Sequence, residues 1–422
     1  MNFKTVSTVG LGYIGLPTAA VFASRNINVI GVDVSQHVVD TINAGHIHIV
    51  EPELDEVVHG AVSRGVLRAT RVPEPADAFL IAVPTPFSRR ESGEFEADLT
   101  YIRAAAESIA PVLKQGDLVV LESTSPVGAT EQMADWLSAV RRDLSFPQDV
   151  GESADISIAH CPERVLPGHV MRELVENDRI IGGMTRRCAE RARSLYQTFV
   201  TGECIITNAR TAEMAKLTEN SFRDVNIAFA NELSIICERL DIDVWELIAL
   251  ANHHPRVNIL QPGPGVGGHC IAVDPWFIVS QAPDLARLIR TAREVNDSKP
   301  QWVIEQVQRA VGEALQRQPE KTAQDITIVC YGLAFKADID DLRESPALGI
   351  ADRLSQLHPG RLKVVEPHIQ ELPLSLVGRA ELVDLVSIEG DVHVLLVDHG
   401  AFRALNLPDA FLVDTRGFWR NG

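Results

Sequence analysis

One thiol sets the chemical possibilities of this chain. The stretch from Gln261 to Trp276 reads Q-P-G-P-G-V-G-G-H-C-I-A-V-D-P-W, and four of the six residues from Gly263 to Gly268 are glycine. Glycine at that density weakens a helix or strand, but it lets the backbone take positive φ and pass close to a ligand. The loop delivers Cys270 and, four residues later, the carboxylate of Asp274. A cysteine thiolate is a nucleophile able to form a covalent intermediate. The plainer alternative is a turn whose cysteine only packs, since free cysteine is among the most buried residue types.

Two further groups of residues speak for chemistry. Gly10-Leu11-Gly12-Tyr13-Ile14-Gly15 follows the β-branched run Thr5–Val9 and precedes a helical stretch, Leu16–Arg25. Strand, G-x-G-x-x-G and helix are the context of a dinucleotide site. Gly10 makes the tight turn, Gly12 admits the pyrophosphate and Gly15 lets the helix pack on the strand. A second strand, Val29–Val32, ends in Asp33, where an acid accepts from a ribose 2′-OH and repels a 2′-phosphate. The expected cofactor is therefore NAD, not NADP. Farther on, Lys216, Asn220 and Arg223 fall at i, i+4 and i+7 on one face of a helical stretch, Ala209–Leu240. Ile227, Phe229, Leu233 and Ile236 surround them, so the helix is expected to be mostly buried. A buried Lys-Asn-Arg row needs partners, although a solvated stripe is the commoner origin of such a row.

These residues need rigid elements behind them. A length of 422 residues suits two or three domains, and 45% hydrophobic residues suffice for sizeable cores. The formal charge of −18 argues against a nucleic-acid partner while leaving room for an anionic small ligand held by clustered Arg and Lys. The six cysteines form no CxxC pair and no metal-ligand spacing, which suits a reducing compartment and no metal site. The chain starts straight into a strand and has no apolar run of membrane-spanning length, so a cytoplasmic protein is expected.

Polar clusters recur at strand ends. Ala78–Val83 leads to Thr85, Leu118–Leu121 to Thr124, and Ile156–Ala159 to Glu163, Arg164 and Val165. Open α/β sheets hold their ligands at such ends, although Ser, Thr and Pro are also ordinary turn and cap residues. A second long helix is expected over Leu285–Gln318, then a linker at Gln318–Gln324. A further α/β unit follows, with strands at Ile326–Tyr331, Leu362–Val365, Val392–Val397 and Phe411–Val413 and no G-x-G-x-x-G. The expected fold is α/β: two Rossmann-like doubly wound domains joined by a helical central region with a long connecting helix. Its boundaries fall at 1–207, 208–318 and 319–422.

Six motifs in order resemble one family over nearly the whole chain. They are G-L-G-Y-I-G-L-P, S-T-S-P-V-G-A-T, C-P-E-R, E-M-A-K-L-T-E-N-S-F-R-D-V-N-I-A-F-A-N-E-L, P-G-P-G-V-G-G-H-C and G-L-A-F-K-A-D-I-D-D-L-R-E-S-P. The chain is thereby similar to the UDP-glucose/GDP-mannose dehydrogenases, which oxidise a nucleotide-sugar alcohol to a carboxylate with two NAD. Where the UDP-glucose branch reads G-G-S-C-F-P-K-D, this chain has His269 for Ser and Val273 for Lys. That version resembles the branch acting on UDP-N-acetylhexosamines. UDP-N-acetyl-D-mannosamine is the expected substrate, with UDP-N-acetylglucosamine or UDP-glucose as alternatives.

The resemblance implies roles for individual residues. Cys270 would form the thiohemiacetal and thioester, with Lys216 and Asn220 stabilising the oxyanions and Lys216 handling the proton. Asp274 and Thr124 would position the hydrolytic water, and Glu163 would assist acid–base steps. Gly10, Gly12, Tyr13, Ile14, Gly15, Asp33, Thr85 and Thr124 would hold NAD. The sugar nucleotide would meet Arg164, Val165, Lys216, Asn220, Arg223, His254, Arg256, Gly267, Phe335, Lys336 and Arg343. Without the lysine of the other branch, the Cys270 thiolate would be favoured by His269 or by the amides of the glycine loop. A homodimer or higher homo-oligomer is expected, with the long helix at the interface. Two other readings, a two-electron 3-hydroxyacid dehydrogenase and an NAD-sensing regulator, leave Cys270 without a task.

Overall fold

The computed structural model describes residues 3–49, 51–89, 95–165, 168–268, 270–385, 388–405 and 411–419. The chain divides into two compact units, Met1–Glu219 and Asn220–Gly422, and the helix Ala209–Arg239 runs through the division.

The first unit is built on an eight-stranded sheet. Its strands are β1 (Thr5–Val9), β2 (Asn28–Val32), β3 (Leu67–Thr70), β4 (Ala78–Ile81), β7 (Leu118–Leu121), β8 (Ser157–His160), β9 (Arg179–Gly183) and β10 (Cys204–Asn208). A small antiparallel hairpin of β5 (Phe87–Arg89) and β6 (Phe95–Ala97) stands apart. The order across the sheet is β10-β9-β8-β7-β4-β1-β2-β3. The six strands β3, β2, β1, β4, β7 and β8 run parallel, as a doubly wound sheet requires. At one edge the sheet is mixed: β9 lies antiparallel to β8 and carries β10 with it. Continuous apolar strands such as Leu118–Leu121 are buried on both faces, which is why they lack polar alternation. Helices cover both faces through two hydrophobic clusters. Phe22, Leu16 and Tyr196 lie in one; Phe79, Met133 and Phe146 lie in the other.

The second unit joins a helical part to a five-stranded parallel sheet. Its strands are β11 (Thr327–Tyr331), β12 (Arg361–Val365), β13 (Glu381–Leu382), β14 (Val392–Leu395) and β15 (Phe411–Asp414), in the order β13-β12-β11-β14-β15. The helix Arg287–Arg317 packs Val303, Ile304 and Val307 into the core of this sheet.

The helix Ala209–Arg239 departs from its expected burial. Phe222, Phe229 and Ile236 are 68%, 51% and 45% exposed, seven residues apart and so on one face. Its inner face is polar, with Glu213, Asn220, Asp224 and Asn231 all buried. Apolar content therefore misreads this helix: Phe222, Phe229 and Ile236 point outward, while Glu213, Asn220, Asp224 and Asn231 join Leu217 on the inside.

Candidate active site

In the first unit, the strand ends form the shelf on which a dinucleotide would rest. Gly10 has φ +90°, and a Cβ there would lie 2.6 Å from the Ala82 carbonyl oxygen. One at Gly15 would lie 1.8 Å from the Gly10 carbonyl oxygen, so both positions demand glycine. At Gly12 a Cβ would meet nothing within 4 Å, and Gly12 and Tyr13 are exposed beside half-buried Ile14. The glycines thus close the turn at its base and leave it open at its rim, as pyrophosphate binding needs. The Asp33 carboxylate stands at the end of β2 and accepts from the N–H groups of Leu11 (3.0 Å) and Ser35 (2.9 Å). It braces the glycine turn as well as offering lone pairs outward. The Thr85 hydroxyl is buried with no hydrogen-bond partner among the described residues. This shelf fits an NAD molecule: Gly12 would face the pyrophosphate, Asp33 the ribose, and bound NAD would supply a hydride acceptor.

Thr124, half-buried, lies in the loop after β7. The loop is fastened by Ser123, whose Oγ donates to the Val83 carbonyl (2.7 Å). Beyond it, Glu213 of the long helix accepts from Gly128 N–H, Thr130 N–H and Thr130 Oγ1. It thereby caps the helix Ala129–Val140, which has no side-chain cap of its own.

Sequence reasoning missed the charge cluster around Glu163. Glu163 is buried, with one carboxylate oxygen accepting from Arg164 N–H and the other paired with Arg179. Arg179, also buried, reaches Glu122 (3.4 Å) and lies 4.4 Å over the Tyr196 ring. The Tyr196 hydroxyl donates to Glu122 (2.6 Å). Burial pushes the Glu122 carboxyl up to about 7; burial also works against the charge on Arg179, but the acids beside it, Glu163 first, outweigh that and keep it charged. Two carboxylates and one guanidinium away from water cannot all be charged and balanced, so Glu122 is the member that takes the proton. Only the pattern of a buried Arg on a strand could have signalled this cluster. Beside it, Val165 packs partly buried against the core, and Arg164 pairs with Glu219 (2.8 Å).

The second unit carries the thiol. Cys270 is exposed, and its carbonyl accepts from Val273 N–H (3.1 Å) and Asp274 N–H (2.9 Å). This turn opens the helix Asp274–Gln281, whose N-terminal end carries a positive partial charge. His269 lies outside the described residues. Asp274, 3% exposed, accepts from the Asn220 amide at 2.5 Å. Asn220 is one turn along the continuous helix from half-buried Lys216. The third member of the expected row, Arg223, points to solvent; it does not share the burial of Asn220.

The glycine loop is wedged against the segment that follows β11, from Phe335 to Pro346. Gly265 and Gly268 have φ +145° and +82°. A Cβ at Gly267 would lie 2.5 Å from the Glu344 carbonyl oxygen, 2.6 Å from Pro346 Cδ and 3.0 Å from Phe335 Cβ. Gly267 and Gly268 are therefore packed against Phe335, with exposed Lys336 next along the chain from Phe335 and Cys270 two residues beyond Gly268. Arg343 is exposed and paired with Asp341 (2.7 Å). His254 and Arg256 are exposed just before the loop, the Arg256 N–H donating to His254 Nδ1 (3.3 Å).

The family's NAD-binding domain matches residues 4–200, its central domain 210–298 and its UDP-binding domain 329–421. The chain belongs to the UDP-glucose/GDP-mannose dehydrogenase family. It is an oxidoreductase of that family, with NAD as its cofactor. Over the full length of both chains it is 63% identical to the UDP-N-acetyl-D-mannosamine dehydrogenase of Yersinia pestis. It is 64% identical to the NDP-N-acetyl-D-galactosaminuronic acid dehydrogenase of Ralstonia nicotianae, covering 99% of this chain and 97% of that one. In structure it is similar to the UDP-D-ManNAc dehydrogenase of Pyrococcus horikoshii, with a TM-score of 0.84, 37% identity and coverage of 98% and 96%. The α/β architecture with its helical middle is common to this chain and these members of the family.

Proposed function

We propose that this chain oxidises the C6 alcohol of UDP-N-acetyl-D-mannosamine to the carboxylate of UDP-N-acetyl-D-mannosaminuronate. The observation that carries the reading is the Asn220–Asp274 bond, which fixes the turn bearing exposed Cys270 to the helix bearing Lys216. The substrate assignment is supported by the full-length relatives of that activity at 63% identity. The Ralstonia relative, at 64%, favours a second reading, an NDP-linked N-acetylgalactosamine sugar.

Taking CH₂OH to COO⁻ removes four electrons, so two hydrides leave the same carbon in succession. In the first step Lys216 takes the hydroxyl proton as the first hydride departs, leaving an aldehyde. The Cys270 thiolate then forms a C–S bond to the aldehyde carbon, and Lys216 and Asn220 hold the resulting oxyanion. Loss of the second hydride turns that adduct into a thioester. Water positioned by Asp274 and Thr124 adds to it; the C–S bond breaks, and the uronate leaves with Cys270 restored. Glu163, held by Arg179, assists the proton transfers. Arg164, Arg223, Arg256, Lys336 and Arg343 bind the diphosphate, Arg164 and Arg343 sharing or exchanging their carboxylate partners, because the guanidinium fork matches phosphate oxygens. Val165, His254, Gly267 and Phe335 shape the sugar and base pocket.

In this reading residues 1–207 hold NAD, residues 208–318 supply the thiol loop and residues 319–422 hold UDP. The chain works in the cytoplasm as a homodimer, closed by the exposed Phe222, Phe229 and Ile236 face. Among the described residues no helix is long and apolar enough to cross a membrane. The test is NADH production with UDP-N-acetylmannosamine, UDP-N-acetylgalactosamine, UDP-N-acetylglucosamine and UDP-glucose side by side. The highest kcat/KM with the first supports the assignment, and no turnover of any of them overturns it.

A further inference from the structure

A buried chain of hydrogen bonds ends on the glycine loop. Arg293 pairs with Asp224 (2.6 Å), and the Asn296 amide donates to the same Asp224 carboxylate (2.8 Å) and to the Asp224 carbonyl (3.0 Å). Asn296 Oδ1 in turn accepts from the Asn231 amide (2.8 Å), and Asn231 Oδ1 accepts from Gly263 N–H (2.9 Å). Asp224 and Asn231 are fully buried, and Asn296 and Arg293 are 1% exposed. Each of the two asparagines bridges two partners through opposite ends of its amide, so each bond fixes the orientation of the next.

Asn231 and Asn220 lie on one helix, eleven residues and so about three turns apart, within about 20° of the same face. Asn231 holds the loop at Gly263, and Asn220 holds it at Asp274, with Cys270 between them. The helix thus acts as a ruler of about 16 Å that sets the separation of the two ends of the loop. Glycines at 263, 265, 267 and 268 leave the intervening backbone little stiffness of its own, so its path depends on where its ends are held. The loop also packs on the second helix beside this network: a Cβ at Gly265 would lie 3.2 Å from Pro300 Cγ.

We propose that Asn231 is a positioning residue for the Cys270 thiol, acting through the Gly263 N–H to hold the loop in register. The proposal rests on Cys270 being the nucleophile. An isosteric Asn231→Leu removes both bonds and leaves Gly263 N–H buried without a partner. The carboxyl of N231D can accept from Gly263 N–H at any pH, but it can donate to Asn296 only while protonated.

The experiment measures kcat, the KM for NAD⁺ and the second-order rate of Cys270 alkylation by iodoacetamide, from about pH 6 to 9. Alkylation needs no substrate, so it reads loop position even if the sugar assignment fails. For N231L the expectation is a kcat at least tenfold lower, an NAD⁺ KM within twofold of wild type and an alkylation rate changed at least threefold. N231D should recover at least a third of wild-type kcat near pH 6 and fall toward N231L by pH 9. Alkylation of both variants within twofold of wild type would overturn the proposal. So would losses of kcat that merely follow the fraction of folded protein, read by circular dichroism in the same samples.

Discussion

The Asn220 amide donates to the Asp274 carboxylate across 54 residues of sequence, in a site almost closed to water. The pair fastens the helix that carries Lys216 to the turn that carries Cys270. Asn220→Asp replaces the donor with a second carboxylate facing the first, and like charges at that separation cannot both ionise. We expect N220D to lose about 3 kcal/mol of stability near pH 9 and to regain most of it near pH 6, where one proton bridges the pair. Urea titrations at the two pH values check this, and an equal loss at both would contradict it.

Gly267 faces backbone on one side and Pro346 and Phe335 on the others, so an added methyl has no room. Gly267→Ala should shift the loop, cutting turnover at least tenfold while NAD⁺ binding by calorimetry changes less than twofold. Unchanged turnover would mean that the loop has slack the packing does not show.

Glu122 titrates in the folded protein near 7, against about 4.5 for an ordinary glutamate, because it is buried. An acid whose pKa is raised by folding stabilises the protein below its unfolded value and loses that contribution as pH rises through its folded value. Between about pH 4.5 and 7 wild type should therefore lose stability relative to Glu122→Gln, by at most about 3 kcal/mol. Urea midpoints of the two proteins at pH 5 and pH 8 measure the difference. Parallel pH profiles would show that Glu122 stays ionised throughout.

Asp33 closes the second strand and braces Leu11 of the glycine turn, so a 2′-phosphate would meet a fixed carboxylate. NAD⁺ should be preferred over NADP⁺ by at least tenfold in kcat/KM, about 1.4 kcal/mol. Equal values for the two cofactors would remove Asp33 from the ribose site.

Much of this was legible in the sequence. The strands Thr5–Val9 and Leu118–Leu121 stand as expected, because short apolar β-branched runs followed by turn residues have few other structures open to them. The long helix begins at Ala209 as expected and ends at Arg239, one residue early. Orientation was not legible: β9 and β10 are short five-residue strands, and nothing in R-I-I-G-G or C-I-I-T-N says which way the strand points. Nor was the burial of the long helix, since composition cannot tell an outward Phe229 from an inward one. The glycine loop and Cys270 could be read from residue types, because their chemistry is local. The pairing of Glu163 with Arg179 and of Asn231 with Gly263 depends on contacts made only when the chain folds.

The central claim is that Cys270 holds the sugar carbon as a thiohemiacetal between the two oxidations and as a thioester after the second. Serine keeps the size of the side chain, but its hydroxyl has far too high a pKa to attack an aldehyde as thiolate does. Steady-state formation of NADH and of uronate by wild type and Cys270→Ser, with saturating NAD⁺ and UDP-N-acetyl-D-mannosamine, tests the claim most directly. The account predicts two NADH per uronate and no free aldehyde for wild type. For C270S it predicts at least a thousandfold lower turnover to the acid, with any residual NADH matched by trapped aldehyde. Conversion of sugar to acid by C270S at near wild-type rate would contradict it and leave Cys270 with no covalent role.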